Sequence, residues 1–507
     1  MRCLGVLRPP FISSKGVVAS EHPLASAIGA QVLQRGGTAA DAAVAVSLAL
    51  SVTMPHLSGL GGDFFALLRD EDGHVIYVNG SGWAPPSLTA EDLRARGHSR
   101  PPLHGLLSAV LPGLVPALFD LHGRLGALTW KELVQPALRL AREGFPITAG
   151  LARALERALP WLTSSGAAAA LLRLGKPPRP GDLLLQPALA ATLSEVSEGG
   201  VAGFWRGRAG TALRRAYELE RIALGADDLL SLRPEWGEAL SLSYHGAKVY
   251  ELPPNSLGPA TLLLLKLLGQ LGAGSPRPSA WERVRAFVPL ARAAHAAALR
   301  ELGDPRFVPF SLDAFLNAAP RPATGKGRFE GGDTTAFAIV DRGGTALVGI
   351  QSLYHHFGSR FYLQEAGFFL NNRARCFAEE GPNAFGPGKR PLHTLSAMLI
   401  ERGQEIIALG ISGGFLRPQQ HALLASNLLE YGMSLGMALE HPRFLWDPEE
   451  EVLLVEEGIE VREEGDMPVR RLPYPSSTGV AQAVLRAPEA NFAFCDIRGD
   501  GLPCGEA

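Results

Sequence analysis

The chain has 507 residues, 46% hydrophobic and 19% charged, an ordinary globular composition that is ample for a large core. A formal net charge of -2 lacks the basic excess that phosphate contacts require, so no nucleic-acid partner is expected. The four cysteines, Cys3, Cys376, Cys495 and Cys504, form neither a CxxC pair nor a metal-type spacing, which argues against a disulfide framework and a metal site.

The N-terminal stretch MRCLGVLRPPFISSKG has no continuous apolar core before its prolines. No secretory signal is visible there, and a cytoplasmic location is expected. HPLASAIGAQVLQ carries apolar residues at helical spacing and ends at Gly36-Gly37. TAADAAVAVSLALSV predicts a second helix with Thr38 as N-cap, its small residues suited to close packing between layers. FFALLRDEDGHVIYVNG reads as a hairpin around Asp72-Gly73. Residues 103–302 read as mostly helical, with loops at 175–182 and 272–278 too short to link domains. Within them TLLLLKLLGQL, interrupted by Lys266, predicts a buried helix and not a membrane span.

After Gly331-Gly332 the texture changes. TTAFAIVDRGGTALVGIQSLY predicts two alternating strands around Gly343-Gly344. EIIALG predicts a strand that runs through Ile411-Ser412-Gly413-Gly414 into the helix PQQHALLASNLLEYG, and VLLVEEG and VAQAVLRA predict strands near the C-terminus. Abundant helices beside antiparallel strands predict an α+β layered sandwich, not a repeating βαβ fold.

Thr334 opens a predicted strand directly after Gly331-Gly332-Asp333. A threonine hydroxyl is a weak nucleophile, and cutting the chain before it makes its own α-amine the base. The plain alternative is a Thr-Thr pair that merely begins a hairpin. Gly410-Ile411-Ser412-Gly413-Gly414 matches the G-x-S-x-G nucleophile elbow formally. Only His421 and His441 follow Ser412, Glu430 would have to serve as the acid, and the βαβ context is missing. Glycine amides at a helix start offer a second reading, as oxyanion donors, and a tight turn is the third. Gly59-Leu60-Gly61-Gly62 leads into a strand, so it is no phosphate loop. His355-His356 lacks partners at metal spacing and is expected at the surface or in a hydrogen bond.

Several segments in one order resemble the gamma-glutamyltranspeptidase family: GVVASEHPLASAIGAQVLQRGGTAADAAVAVSLALSV, SGLGGDFF, LTWKELVQPALRLAREGF, LPPNSLGPATLLLLKLL, DTTAFAIVD, FGSRFYLQEAGFFLNNRARCF, GPGKRPLHTLSAM, GISGGF, EHPRF and FCDIRGDG. The resemblance spans nearly the whole chain. It implies a four-layer αββα N-terminal-nucleophile hydrolase that cuts itself into fragments 1–333 and 334–507, which stay interlocked as one domain, a heterodimer of its own two parts. Thr334 then falls at the nucleophile, Ser352 where a hydroxyl hydrogen-bonds it, and Gly413 and Gly414 at the oxyanion hole. No metal or cofactor is implied; the expected partner is a small-molecule amide.

The substrate shell departs from the family pattern. Ser81 stands where an arginine grips the α-carboxylate, and Cys376 where an acid holds the α-ammonium. Tyr354 replaces an asparagine, Arg373 a short polar or acidic residue, and His393-Thr394 a Ser-Ser pair. The segment between Phe377 and Pro387 is short, so a lid loop is not expected. These changes resemble the branch of oxamate amidohydrolase and the cephalosporin acylases. They imply an anionic acyl group without an amino group, with Arg373 as its cation. Arg373 is equally readable as solvent-facing or paired with an acid such as Glu379. The competing readings are a true gamma-glutamyltransferase or glutathione hydrolase, and a processed but inactive scaffold.

Overall fold

The computed structural model describes residues 6–271, 277, 279–318, 333–462, 467–476 and 478–507. Gly331-Gly332 and most of the loop expected at 272–278 lie outside the described residues, as does Cys3.

Alternation along the strands builds the layers. On Asp333–Val340, residues Ala336, Ala338 and Val340 face one way, packing with Ala397, Leu399, Ala408 and Val484 of a second sheet. Phe337 and Ile339 face the other way, into a helical layer that includes Val44, Leu48 and Val52. The second sheet repeats the pattern: Met398, Ile400, Ile407 and Leu409 turn outward onto a helical layer containing Leu262, Phe287 and Leu424. Helix, sheet, sheet, helix is therefore the layer order, the expected αββα sandwich.

Each main sheet has seven strands, all paired antiparallel. One runs Cys504–Gly505, Val17–Ser20, Asp333–Val340, Ala346–Tyr354, Asp63–Arg69, Val75–Gly80, Glu235–Glu238. The other runs Phe11–Ser13, Asn491–Cys495, Ala481–Arg486, Glu405–Ile411, Ala397–Arg402, Ala247–Glu251, Leu240–Tyr244. Both sheets draw strands from either side of the Asp333–Thr334 junction.

The helix expected after Gly36-Gly37 spans Ala39–Thr53, with Thr38 and Asp41 forming a reciprocal capping box. All fifteen of its residues are buried, which its small side chains permit. The apolar run around Lys266 forms the helix Gly258–Gln270, and among the described residues no helix is long and apolar enough to cross a membrane. Residues 103–302 contain more strand than expected. Glu235–Glu238 and Leu240–Tyr244 form the far edges of the two sheets, and Ala247–Glu251 lies just inside the second of them. Short edge strands bury one face at most, so their apolar signal is faint beside the neighbouring helices.

Candidate active site

Thr334 lies on a central strand, fully buried, where the register against Ala346–Tyr354 shifts between Asp333 and Thr335. Arg417 Nη2 donates to its Oγ1 at 3.1 Å, while Arg417 Nε donates to the Ile411 carbonyl at 2.7 Å. The peptide bond before Thr334 is gripped on both sides. Ser352 Oγ donates to the Asp333 carbonyl at 2.6 Å, and Thr334 N donates to Asp333 Oδ1 at 3.0 Å. Ser352 Oγ also accepts from Tyr354 N at 2.6 Å. In this uncut chain Ser352 therefore holds the carbonyl preceding Thr334, where the resemblance implies a bond to the threonine hydroxyl.

Charge is concentrated around that peptide. Asp333 Oδ2 pairs with His356 Nε2. Partial burial opposes both charges, but the pairing wins: it holds the Asp333 carboxyl below its usual range and the His356 imidazole above its own. The buried His56 ring lies 5.5 Å from His356, and burial, aided by that neighbouring cation, pushes it down to about 3. Glu21 is pushed well above the usual carboxylate range by burial and then by Asp333.

A second cluster surrounds Arg373, which stands on the short 3-10 turn Arg373–Cys376 and is fully buried. Its Nη1 donates to Thr394 Oγ1 at 2.8 Å and lies 3.8 Å from Cys376 Sγ. The guanidinium sits 4.5 Å from the centre of the Tyr354 ring, and Nε is 3.6 Å from Asp63 Oδ2. Burial sets aside the solvent-facing reading of Arg373, and the reading that pairs it with an acid holds with Asp63 in place of Glu379, which accepts from Ser99 Oγ. Asp63 is further held by Gly82 N at 2.8 Å and by His393 Nε2 at 3.0 Å. His393 is pushed down to about 3 by burial and then by the Arg373 charge, so it donates to Asp63 as a neutral ring. Ser81 is occupied locally, accepting from Asn255 Nδ2 at 3.1 Å and donating N–H to Asn79 Oδ1 at 3.0 Å.

The turn after Glu405–Ile411 carries the two glycines. Gly413 has φ of +132° and Gly414 of +56°, and a Cβ on Gly413 would lie 2.3 Å from Gln420 Nε2. Ser412 Oγ accepts from Val480 N at 2.7 Å, and Ser412 N donates to the Val480 carbonyl at 3.0 Å, tying the turn to its neighbouring strand. His421 pairs with the buried Glu251, and His441 Nδ1 with the Pro442 carbonyl. Neither is bonded to Ser412, so the nucleophile-elbow reading has no histidine. His356 fulfils the hydrogen-bonding expectation for the histidine pair.

Two site residues escaped the sequence reading. Asp63 heads the strand Asp63–Arg69, whose sequence DFFALLR carries a charge at each end and so does not single it out. Arg417 immediately precedes Pro418 at the start of the buried helix Arg417–Leu429, where a fully buried arginine has no helical purpose.

Two seven-stranded antiparallel sheets between helical layers are the architecture of the N-terminal-nucleophile hydrolase class. The gamma-glutamyltranspeptidase profile matches residues 25–505, and the chain belongs to that family. The glutathione hydrolase-like YwrD proenzyme of Bacillus subtilis is 34% identical over 451 residues, 86% of each chain. The oxamate amidohydrolase proenzyme of Klebsiella pneumoniae is 29% identical, covering 97% of this chain and 99% of its own. The crystal structure of a cephalosporin acylase from Bacillus halodurans superposes with a TM-score of 0.89 at 27% identity, covering 99% of this chain and 97% of that one. The protein is accordingly an enzyme of the autocatalytically processed hydrolase and transferase type.

Proposed function

We propose that this protein cuts itself between Asp333 and Thr334 and then hydrolyses a small, carboxylate-bearing amide through a Thr334 acyl-enzyme. The observation that carries the reading is the pair of contacts on one peptide unit: Ser352 Oγ polarises the Asp333 carbonyl, and Arg417 holds the Thr334 hydroxyl beside it. Attack of Thr334 Oγ1 on that carbonyl forms an ester and moves the bond from nitrogen to oxygen. Water then opens the ester, leaving a carboxylate on Asp333 and a free α-amine on Thr334. In turnover that amine takes the hydroxyl proton as Thr334 attacks the substrate, and passes it to the leaving amine. The Gly413 and Gly414 amides stabilise the developing oxyanion. Water releases the acyl group in a second step.

Specificity follows from the shell. Asp63 already takes the Gly82 amide, His393 and the Arg373 charge, so it is a poor seat for a substrate ammonium. Ser81 and Cys376 bring no compensating charge. Arg373, whose Nε lies 3.6 Å from Asp63 while its Nη2 makes no hydrogen bond among the described residues, is the cation proposed for a substrate carboxylate, flanked by Tyr354 and Thr394. The relative named for oxamate fits this chemistry better than those named for glutathione.

The test has two parts. Purified protein run on a denaturing gel should give two fragments, the smaller beginning Thr-Thr-Ala-Phe, and Thr334→Ala should abolish both cleavage and turnover. A panel of oxamate, glutaryl and γ-glutamyl amides should then favour the des-amino compounds. Glutathione turning over far better than every des-amino analogue would return the protein to the glutathione-cleaving reading.

A further inference from the structure

We propose that self-cleavage and turnover use different bases: the Asp333 carboxylate, aimed by His356, carries the proton when the chain cuts itself, and the Thr334 α-amine takes over once it is free. The inference rests on the Thr334 reading and deepens it by assigning Asp333 as a catalytic residue, and His356 as a positioning residue, of maturation.

The uncut chain has no α-amine at Thr334. Its nitrogen is still an amide, which is no base at neutral pH, so the hydroxyl proton needs another carrier. The surrounding groups narrow the choice. Arg417 Nη2 is a donor to Thr334 Oγ1. Ser352 Oγ spends its hydrogen on the Asp333 carbonyl and accepts from Tyr354 N. Burial makes the Glu21 carboxyl favour its protonated form, and His56 Nδ1 has no hydrogen-bond partner among the described residues. Asp333 differs: its Oδ1 accepts from Thr334 N at 3.0 Å, and that nitrogen is the atom that must leave. The backbone creates the contact. The register shift between Asp333 and Thr335 takes Thr334 out of the ladder, and its N–H turns back onto the preceding side chain. His356 Nε2 holds the other carboxylate oxygen, Oδ2, which keeps Asp333 ionised and fixes the direction of Oδ1.

The proton balance closes on these atoms. As Thr334 Oγ1 bonds to the Asp333 carbonyl carbon, its proton passes to Oδ1. The oxyanion forms on the carbonyl oxygen, where Ser352 Oγ already donates. As the carbon–nitrogen bond breaks, Oδ1 returns the proton to the nitrogen, which leaves as a neutral amine. The carboxylate is regenerated, an ester joins the two parts, and the net transfer is one proton from oxygen to nitrogen. Once water opens the ester, Asp333 ends the 1–333 fragment with no covalent bond to Thr334, and the new amine serves the same hydroxyl in turnover.

The experiment follows full-length chains made by cell-free synthesis, sampled over time on denaturing gels for the 334–507 fragment. It then measures kcat/KM per mole of cut enzyme on the amide of the panel that the wild type turns over fastest. Asp333→Asn, which keeps the shape and loses the base, should slow cutting by about a hundredfold or more. His356→Ala should slow it by about ten- to a hundredfold, and His356→Gln, which keeps an N–H donor for Oδ2, should recover part of that loss. Imidazole added to His356→Ala should also recover part, because the native side chain is 38% exposed and its place is open to solution. In each variant kcat/KM should fall by less than the rate of cutting. Asp333→Asn cutting at the wild-type rate overturns the proposal, as does His356→Ala losing both rates equally with no response to imidazole. If Asp333→Asn does not fold, the imidazole response of His356→Ala decides. A wild-type chain that stays whole is a separate result, which removes the self-cleavage reading itself.

Discussion

Around single residues, the candidate active site is built on charges that the fold has shut away from water. Arg373 is the clearest case, because its burial beside Asp63 commits it to a role inside the protein. Arg373→Ala should cut kcat/KM for carboxylate amides by about ten- to a hundredfold, while self-cleavage, which involves no substrate carboxylate, should lose less. Arg373→Lys should recover part of the specificity but not the fork geometry. Comparing kcat/KM across the panel with the rate of fragment appearance separates the two effects. Thr334, Ser352, Gly413 and Gly414 entered as candidates through the family resemblance, because they sit in segments that follow the family's order along the chain. Asp63 and Arg417 did not, because what marks them is burial next to residues 330 and 83 positions away, His393 and Thr334 respectively. Ser81 and Cys376 were legible only as departures. That Ser81 is engaged by Asn79 and Asn255 depends on a strand edge meeting a distant loop, which no local pattern encodes.

Among elements, the turn between Glu405–Ile411 and Arg417–Leu429 decides between two chemistries. Ser412 supplies an acceptor for Val480 N, so Ser412→Ala should cost about 1 kcal/mol of stability and keep appreciable activity. Gly413 is different. Its φ of +132° suits only glycine, and a Cβ would strike the Gln420 side chain, which is itself held by the Thr478 carbonyl. Gly413→Ala should therefore cost about 1–3 kcal/mol and most of the turnover, because the turn that aims its amides must move. Urea denaturation and steady-state kinetics on both variants check this; a dead Ser412→Ala enzyme that still cleaves itself would revive the serine reading. The long elements were plain in the sequence. Ala39–Thr53 announces itself by its cap and small residues, and Asp333–Val340 with Ala346–Tyr354 by alternation around Gly343-Gly344. The edge strands Glu235–Glu238 and Leu240–Tyr244 were lost in a helical neighbourhood, since four or five half-exposed residues carry too little period to count.

For the whole molecule, the order of strands matters more than their number. Asp333–Val340 has Val17–Ser20 on one side and Ala346–Tyr354 on the other, so a cut before Thr334 leaves the 334–507 part hydrogen-bonded into both sheets with strands of 1–333. The two parts should co-elute as one species on native size exclusion and separate only on denaturation. The same burial makes the molecule sensitive to acid. His22, His56 and His393 are all nearly inaccessible, and burial, the first cause for each, holds them down to about 4, about 3 and about 3. In the unfolded chain each takes a proton near its ordinary value of about 6.5. Between that value and about 4 the unfolded state thus binds protons that the folded state refuses, and stability falls as pH falls. Linkage sets the slope at about 1.4 kcal/mol per pH unit for each such proton, so the three together contribute up to about 4 kcal/mol per unit once the unfolded histidines are fully charged. The His356–Asp333 pair adds nothing to this loss: its raised imidazole keeps its proton through the window, and its depressed carboxylate stays charged until the pH drops below the ordinary carboxylate range. Urea unfolding of the processed enzyme at pH 7 and pH 5 should show the fall, and His56→Gln, which cannot take up the proton, should show a shallower one. The buried Glu21, whose raised carboxyl takes up its proton in the folded state first, works in the opposite direction, so the difference in slope between wild type and His56→Gln is the readout, and equal slopes would mean that His56 titrates in the folded state.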